Sequence, residues 1–165
     1  MYYVLVYAYN KNRFILVEKN RPEWQKGKLN LVGGKMEEND KSIIDAAIRE
    51  LKEETGLDAM SKPIIYGTMR DKGNSIYCLG CRVPEFPIRP AIGETEKAEW
   101  YSWSEVKSSK LLIPNLRVII PLLANEVSDW YIRDDSGGCE VFSHKIELSV
   151  PGGLAYGDSN EKQEG

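Results

Sequence analysis

Histidine occurs once in this 165-residue chain, at His144, and the three cysteines, Cys78, Cys81 and Cys139, are an odd number with no framework spacing. Cys78 and Cys81 do form a C-x-x-C. With no second pair and a single histidine, however, a tetrahedral zinc site runs out of ligands. Both lie in SIYCLGCRV, which reads as a strand, so they are expected to be buried free thiols. No apolar run approaches the ~20 residues needed to cross a bilayer. The N-terminal MYYVLVYAYN has neither a basic segment nor a cleavage site, and a reduced cytoplasmic compartment is the expectation. Charge of one sign is scarce too. Twenty-two basic residues against 25 acidic ones leave −3, no footprint for duplex DNA or for an anionic membrane. Phosphorylated small molecules stay within reach, because a bound divalent cation reverses the local field. Internal repeats are absent.

What is present is enough apolar sequence, 42%, for one domain with a substantial core. YYVLVYAY and RFILVEK flank the turn NKN, so residues 2–19 read as a hairpin. RPEWQKGK reads as a loop, and LNLV as a short strand running into Gly33-Gly34. A helix is expected from about Asp40 to Thr55, with Asn39 or Asp40 as N-cap, Gly56 ending it, and Ile44, Ala47, Ile48 and Leu51 as its core stripe. PIIYGTMR and SIYCLGCRV form a second hairpin around DKGN. AEWYSW reads as a strand that puts Trp100 and Trp103 on one face as core or groove wall. SEVKSS opens a helix capped by Ser104, and IPNLRVIIPLLANEV is helical despite Pro121. WYIRDDSGGCEVFSHKIELSV reads as a last pair of strands. The expected architecture is α+β, an α/β/α layered domain with a mixed sheet over residues 1–150, followed by a loose tail at 151–165. His144 is assigned no role.

One stretch stands out. RELKEETGL places Glu50, Glu53 and Glu54 on one helix face at i, i+3 and i+4, beside the apolar stripe. Like charges at that spacing repel, more so as water is excluded, and something must offset the repulsion. Arg49 and Lys52 supply part of it. A divalent cation supplies more, since clustered carboxylates suit Mg²⁺ or Mn²⁺, and Mg²⁺ is commonly completed by substrate phosphates.

The wider segment GGKMEENDKSIIDAAIRELKEETGL resembles the Nudix box, G-x5-E-x7-R-E-U-x-E-E-x-G-U, where U is bulky and aliphatic. Gly34 matches the first glycine, and Arg49, Glu50, Leu51, Glu53, Glu54, Gly56 and Leu57 match the second half. The first half departs: Asp40 stands where glutamate is usual, and eight residues rather than seven separate it from Arg49. The resemblance covers about 25 residues by motif and, by the order of elements, about 150. It implies a Nudix α/β/α sandwich and a Mg²⁺-dependent (or Mn²⁺-dependent) hydrolase. Such enzymes cleave the pyrophosphate of a nucleoside diphosphate linked to another moiety.

By that resemblance Glu50, Glu53, Glu54 and the Gly34 carbonyl hold metal, and Arg49 orients a glutamate. The general base is Glu50 or an acid of IGETEKAEW, with Glu94 and Glu96 the candidates and Glu99 nearby. Trp24 is a candidate for stacking on a base, and Arg21, Lys28 and Lys35 for meeting phosphates, as is Arg13. The substrate is a nucleotide-type small molecule, an ADP-ribose-like compound, a dinucleotide or an RNA 5′ end, with a homodimer common in the family. The competing reading is a Nudix-fold binding or regulatory domain without catalysis, favoured only by the extra residue before Arg49. An isoprenoid diphosphate isomerase would want cysteine and histidine at its site, and no partner supports Cys78 and Cys81 in that role.

Overall fold

The structure, a computed structural model, describes residues 1–135 and 138–143. Its strands are β1 (Tyr2–Asn10), β2 (Arg13–Glu18), β3 (Leu29–Leu31), β4 (Ile64–Asp71), β5 (Asn74–Arg82), β6 (Lys97–Ser102), β7 (Trp130–Asp135) and β8 (Gly138–Ser143). Three α-helices interrupt them: α1 (Ile43–Thr55), α2 (Trp103–Val106) and α3 (Leu116–Ala124). The expected hairpins, the helix containing Pro121 and the final strand pair are all present. Expectations for His144 and for the tail from Pro151 fall outside the described residues.

The strands form one mixed sheet in the order β3-β2-β1-β5-β4-β7-β8, with β6 added along β2. The first hairpin pairs only next to its turn, Tyr9 with Phe14 and Asn10 with Arg13. Beyond that β1 leaves β2 and runs parallel to β5 over eight residue pairs, from Tyr2–Ser75 to Tyr9–Arg82. Its other edge takes up the segment after β3: Val6 N donates to Val32 O at 2.7 Å, Val4 N to Gly34 O at 2.9 Å, and Met36 N to Tyr2 O at 3.0 Å. The double glycine is thus fastened to the middle of the sheet.

β1 reads as a continuous apolar run because it is covered on both faces. Leu5 and Tyr7 point into the core beneath α3, with Phe14, Leu16, Leu116, Ile119, Ile120 and Trp130. Val4, Val6 and Ala8 point the other way, with Ile15, Val17, Ala46, Ala47 and Leu51, beneath α1. Cys78 and Cys81, three apart on β5, fall into opposite cores as buried free thiols. Burial raises both pKa values, that of Cys81 to about 12. Helix, mixed sheet and helix make the expected α/β/α layers. No helix among the described residues is long and apolar enough to cross a membrane.

Three local expectations are corrected. α1 begins at Ile43, not near Asp40, and its N-cap is Ser42, whose Oγ accepts from Asp45 N at 3.1 Å. Asp40 is unavailable as a cap because its carboxylate accepts from Arg49 and from Glu37 N. The buried stripe is Ala46, Ala47, Leu51, Glu54 and Thr55, while Ile48 is 42% exposed. The helix is rolled so that Glu54, at i+7 from Ala47, falls on the packed side. Finally, β6 stops at Ser102, and a capping box formed by Ser102 and Glu105, rather than Ser104, starts α2. Trp103 is therefore helical and packs against the α3-side core, whereas Trp100 packs against the α1-side core. A spacing of three puts side chains on opposite faces even of a continuous strand, as at Cys78 and Cys81, so the two do not share a face.

Candidate active site

The site grows from the glycine pair and α1. Gly33 has φ +148°, and a Cβ there would collide with the carbonyl of Val4. Gly34 is different: a Cβ would lie 2.5 Å from Glu50 Oε1 and 2.7 Å from Cδ. Its bare Cα is the floor on which the Glu50 carboxylate rests. At the far end of α1, Gly56 adopts φ +72° where a Cβ would meet the carbonyl of Arg89. Arg89 N donates to Thr55 O at 2.9 Å and Ala91 N to Glu53 O at 2.8 Å, so the loop leading to residues 94–96 is tied to the helix terminus.

Arg49 organises the outer carboxylates. Nε and Nη2 bond the two oxygens of Asp40 at 3.1 and 2.9 Å, Nη1 bonds Glu50 Oε1 at 2.8 Å and Glu53 Oε2 at 3.0 Å, and Nη2 also reaches Lys35 O at 3.0 Å. Asp40 is bidentate on the guanidinium, the strongest geometry for such a pair. The bond lowers the pKa of Asp40 and raises that of Arg49. Ahead of Ser42 the chain makes a turn in which Asp40 N donates to Glu37 O at 3.1 Å, and from Ile43 the helix runs unbroken to Thr55. Arg49 to Glu54 therefore lie in continuous helical register.

The inner carboxylates are drier. Glu50 is largely buried, and that burial raises its pKa against the pull of Arg49. Glu54 has only 5% of its side chain exposed; Oε2 accepts from Gly33 N at 2.9 Å and Oε1 from Lys19 Nζ at 3.2 Å. Burial pushes the Glu54 pKa up to about 7 despite both bonds. Lys19, at the end of β2, also pairs with Glu96 Oε2. Burial works to lower its pKa, yet the two carboxylates outweigh this and raise it.

The structure therefore brings Gly34, Asp40, Arg49, Glu50, Glu53, Glu54 and Glu96 into one neighbourhood. Glu94 is spent on its own loop, where Oε1 accepts from Thr95 N at 2.7 Å and Glu96 N at 2.8 Å. Glu99 is exposed and paired with Lys97 at 2.8 Å, which lowers its pKa. Arg21, Trp24 and Lys28 sit on the β2–β3 connection. Trp24 is 58% exposed on a single 3₁₀ turn, with the Lys28 ammonium 5.9 Å from its ring centroid. The Lys35 side chain is exposed, and its backbone carbonyl is what meets Arg49. Arg13 and Trp100 line a shallow depression of about 500 Å³ along β6 with Glu99, Tyr101 and Glu105, and no carboxylate of the cluster borders it.

Lys19 and Asn20 were not expected from the sequence; the only signal is a lysine directly after an apolar strand. Asn115, at the start of α3, was also missed. Its Nδ2 donates to Met69 Sδ at 3.2 Å, while its Oδ1 is buried with no partner among the described residues.

Among the described residues no three acidic, histidine or cysteine side chains already converge as a metal-ligand group. Arg49 and Lys19 lie between the carboxylates as counter-charges. The donor set nonetheless fits a hard divalent cation: three carboxylates on one helix face, two of them largely desolvated, against a glycine whose missing side chain leaves room for Glu50. The Gly34 carbonyl spends one lone pair on Val4 N and retains the other.

A family model described as NUDIX domain matches residues 2–123. Among solved structures, the chain is similar to a Nudix hydrolase of Nitrosomonas europaea, with 17% identity, a TM-score of 0.55 and coverage of 76% of this chain and 66% of that one. It is also similar to the MutT protein of Bacillus halodurans, with 22% identity, a TM-score of 0.58 and coverage of 80% and 87%. An ADP compounds hydrolase aligns at 15% identity and a TM-score of 0.61, with coverage of 76% and 71%. No curated protein matches the sequence.

Proposed function

Since this chain belongs to the Nudix family, whose model spans residues 2–123, we propose that it hydrolyses the pyrophosphate bond of a nucleoside diphosphate linked to another moiety, with Mg²⁺ as cofactor and Mn²⁺ as a substitute. The observation that carries this reading is the complete set of Arg49, Glu50, Glu53 and Glu54 in helical register against Gly34. Glu50, Glu53, Glu54 and the Gly34 carbonyl would hold the cation. When bound, it neutralises pyrophosphate oxygens and lowers the pKa of an attacking water.

The protein's own groups do the rest. Arg49 holds the Glu50 and Glu53 carboxylates at fixed angles through one nitrogen, with Asp40 fixing the guanidinium in turn. A base must take the water's proton, and Glu96 is favoured over Glu94 by position: Lys19 joins it to Glu54, whereas Glu94 turns its Oε1 back onto Thr95 N and Glu96 N of its own loop. Arg21, Trp24, Lys28 and Lys35 remain our candidates for the nucleotide. The linked moiety is left to experiment, among nucleoside triphosphates, ADP-ribose, NADH, dinucleoside polyphosphates and 5′-phosphorylated RNA ends. The ADP compounds hydrolase among the structural relatives favours testing ADP-linked compounds first.

The test is product formation, followed chromatographically with Mg²⁺ across that panel, for wild type and Glu53→Gln. The reading expects one substrate class to be turned over and the variant to lose about a hundredfold, the scale of a removed metal-site group. Absence of turnover on every member, with Mg²⁺ or Mn²⁺, would replace it with the non-catalytic binding domain.

A further inference from the structure

β2 ends at Glu18, and the next two residues, Lys19 and Asn20, reach across to the loop before β6. Lys19 Nζ bonds Glu54 Oε1 at 3.2 Å and pairs with Glu96 Oε2; the side chains are 13%, 5% and 8% exposed. Asn20 takes the other oxygen of Glu96, its backbone N donating to Oε1 at 2.9 Å. Its side-chain Nδ2 donates to Thr95 O at 2.8 Å and Thr95 Oγ1 at 3.2 Å. Both oxygens of Glu96 are thus held by consecutive residues of one strand end. Glu94 braces the same loop from within by accepting from Thr95 N and Glu96 N.

We propose that Lys19 and Asn20 are positioning residues, a latch that seats Glu96 beside Glu54 and so decides which acid of the 94–96 loop faces the carboxylate cluster. Two carboxylates this dry repel unless a cation lies between them, and water is the alternative open to Glu96 from a loop whose neighbours are exposed. The Lys19 ammonium removes that repulsion. The two Asn20 groups fix the loop's height and the carboxylate's rotation, which an ammonium alone, with freely turning donors, does not. The kinetic half of this proposal rests on the hydrolase reading; the structural half does not.

The structural half is read from amide hydrogen exchange at Asn20 in the metal-free protein, because that N–H donates to Glu96 itself. In Lys19→Met the Asn20 amide is expected to exchange about tenfold faster, the worth of one hydrogen bond, as it should in Glu96→Ala. Lys19→Arg, which keeps the charge, should restore most of the protection. The kinetic half expects Lys19→Met to lower kcat about tenfold while KM stays within about twofold, and to add nothing to Glu96→Ala in the double variant. If Lys19→Met does not fold, Asn20→Ala, on an exposed side chain, carries the same comparison at the residue-20 amide. Unchanged exchange would overturn the latch, and faster exchange with unchanged kcat would overturn its part in positioning. A wild type that hydrolyses nothing sinks the hydrolase reading, and the exchange result then judges the latch alone.

Discussion

Glu54 offers the sharpest test of how this site is charged. It ionises near pH 7 in the fold, against about 4.5 as an ordinary glutamate, because burial outweighs Lys19 and the Gly33 amide. The folded state therefore holds this proton longer than the unfolded chain does. Its contribution to stability is complete below pH 4.5 and is lost as the pH rises through 7. The difference corresponds to roughly 3 kcal/mol, or about 6–12 °C in melting temperature for a domain of this size. Lys19, whose pKa lies above its ordinary value, stays charged throughout this window and changes nothing within it. The assay is a set of thermal melts from pH 4.5 to 8.5, without divalent cations, on wild type and Glu54→Gln. Glutamine cannot satisfy both Lys19 and Gly33 N with acceptors, so the variant starts lower. The slope is what matters: wild type should lose stability across the window, and the variant should run much flatter. Saturating Mg²⁺ should then raise the wild-type melting temperature more at pH 8 than at pH 5, since it stabilises the ionised form. Parallel pH profiles for the two proteins would refute the account of Glu54, and no Mg²⁺ effect at either pH would refute the metal site.

The two glycines should separate cleanly. Gly34→Ala should keep its melting temperature within a few degrees but lose most turnover, because the atoms it meets are the movable end of Glu50. Gly33→Ala, meeting backbone at positive φ, should lose several kcal/mol by chemical denaturation. Arg49→Lys should fold and lose roughly ten- to a hundredfold in kcat, because an ammonium cannot grip Asp40 bidentately while reaching Glu50 and Glu53; wild-type turnover would show the fork to be dispensable. Ser42→Ala should cost about 1 kcal/mol in urea with an unchanged m-value. Asn39→Ala, outside the observed cap, should stay within about 0.5 kcal/mol.

The elements were readable because their periods are unambiguous: β-branched runs broken by NKN and DKGN, and one helix closed by Gly56. Where the reading slipped, a distant partner had altered a local preference. Asp40 is as good a cap as Ser42 in isolation, but Arg49, nine residues on, claims its carboxylate. Ile48 looks like core by spacing, and only the roll of α1 on the sheet puts Glu54 inside instead. The glutamates were legible because they share one helix turn. Lys19 was not, since its partners lie 35 and 77 positions away and no spacing rule links a strand end to a loop.

The parallel pairing of β1 with β5 has a consequence for how the molecule is made. Val4 must find Tyr77, and the whole of α1 lies in the chain between them. The sheet's centre therefore closes only after a loop of about seventy residues has been gathered, a topology that belongs with folding times of milliseconds or longer. Glu54 also depends on Lys19 and Gly33, just past the ends of β2 and β3, for its charge to have company. During synthesis the acidic helix can find the Val4, Val6 and Ala8 face of β1 early, but that face belongs to a sheet whose centre is not closed until β5 has emerged. The carboxylate cluster is complete only when the 94–96 loop, later still in the chain, brings Glu96 to Lys19.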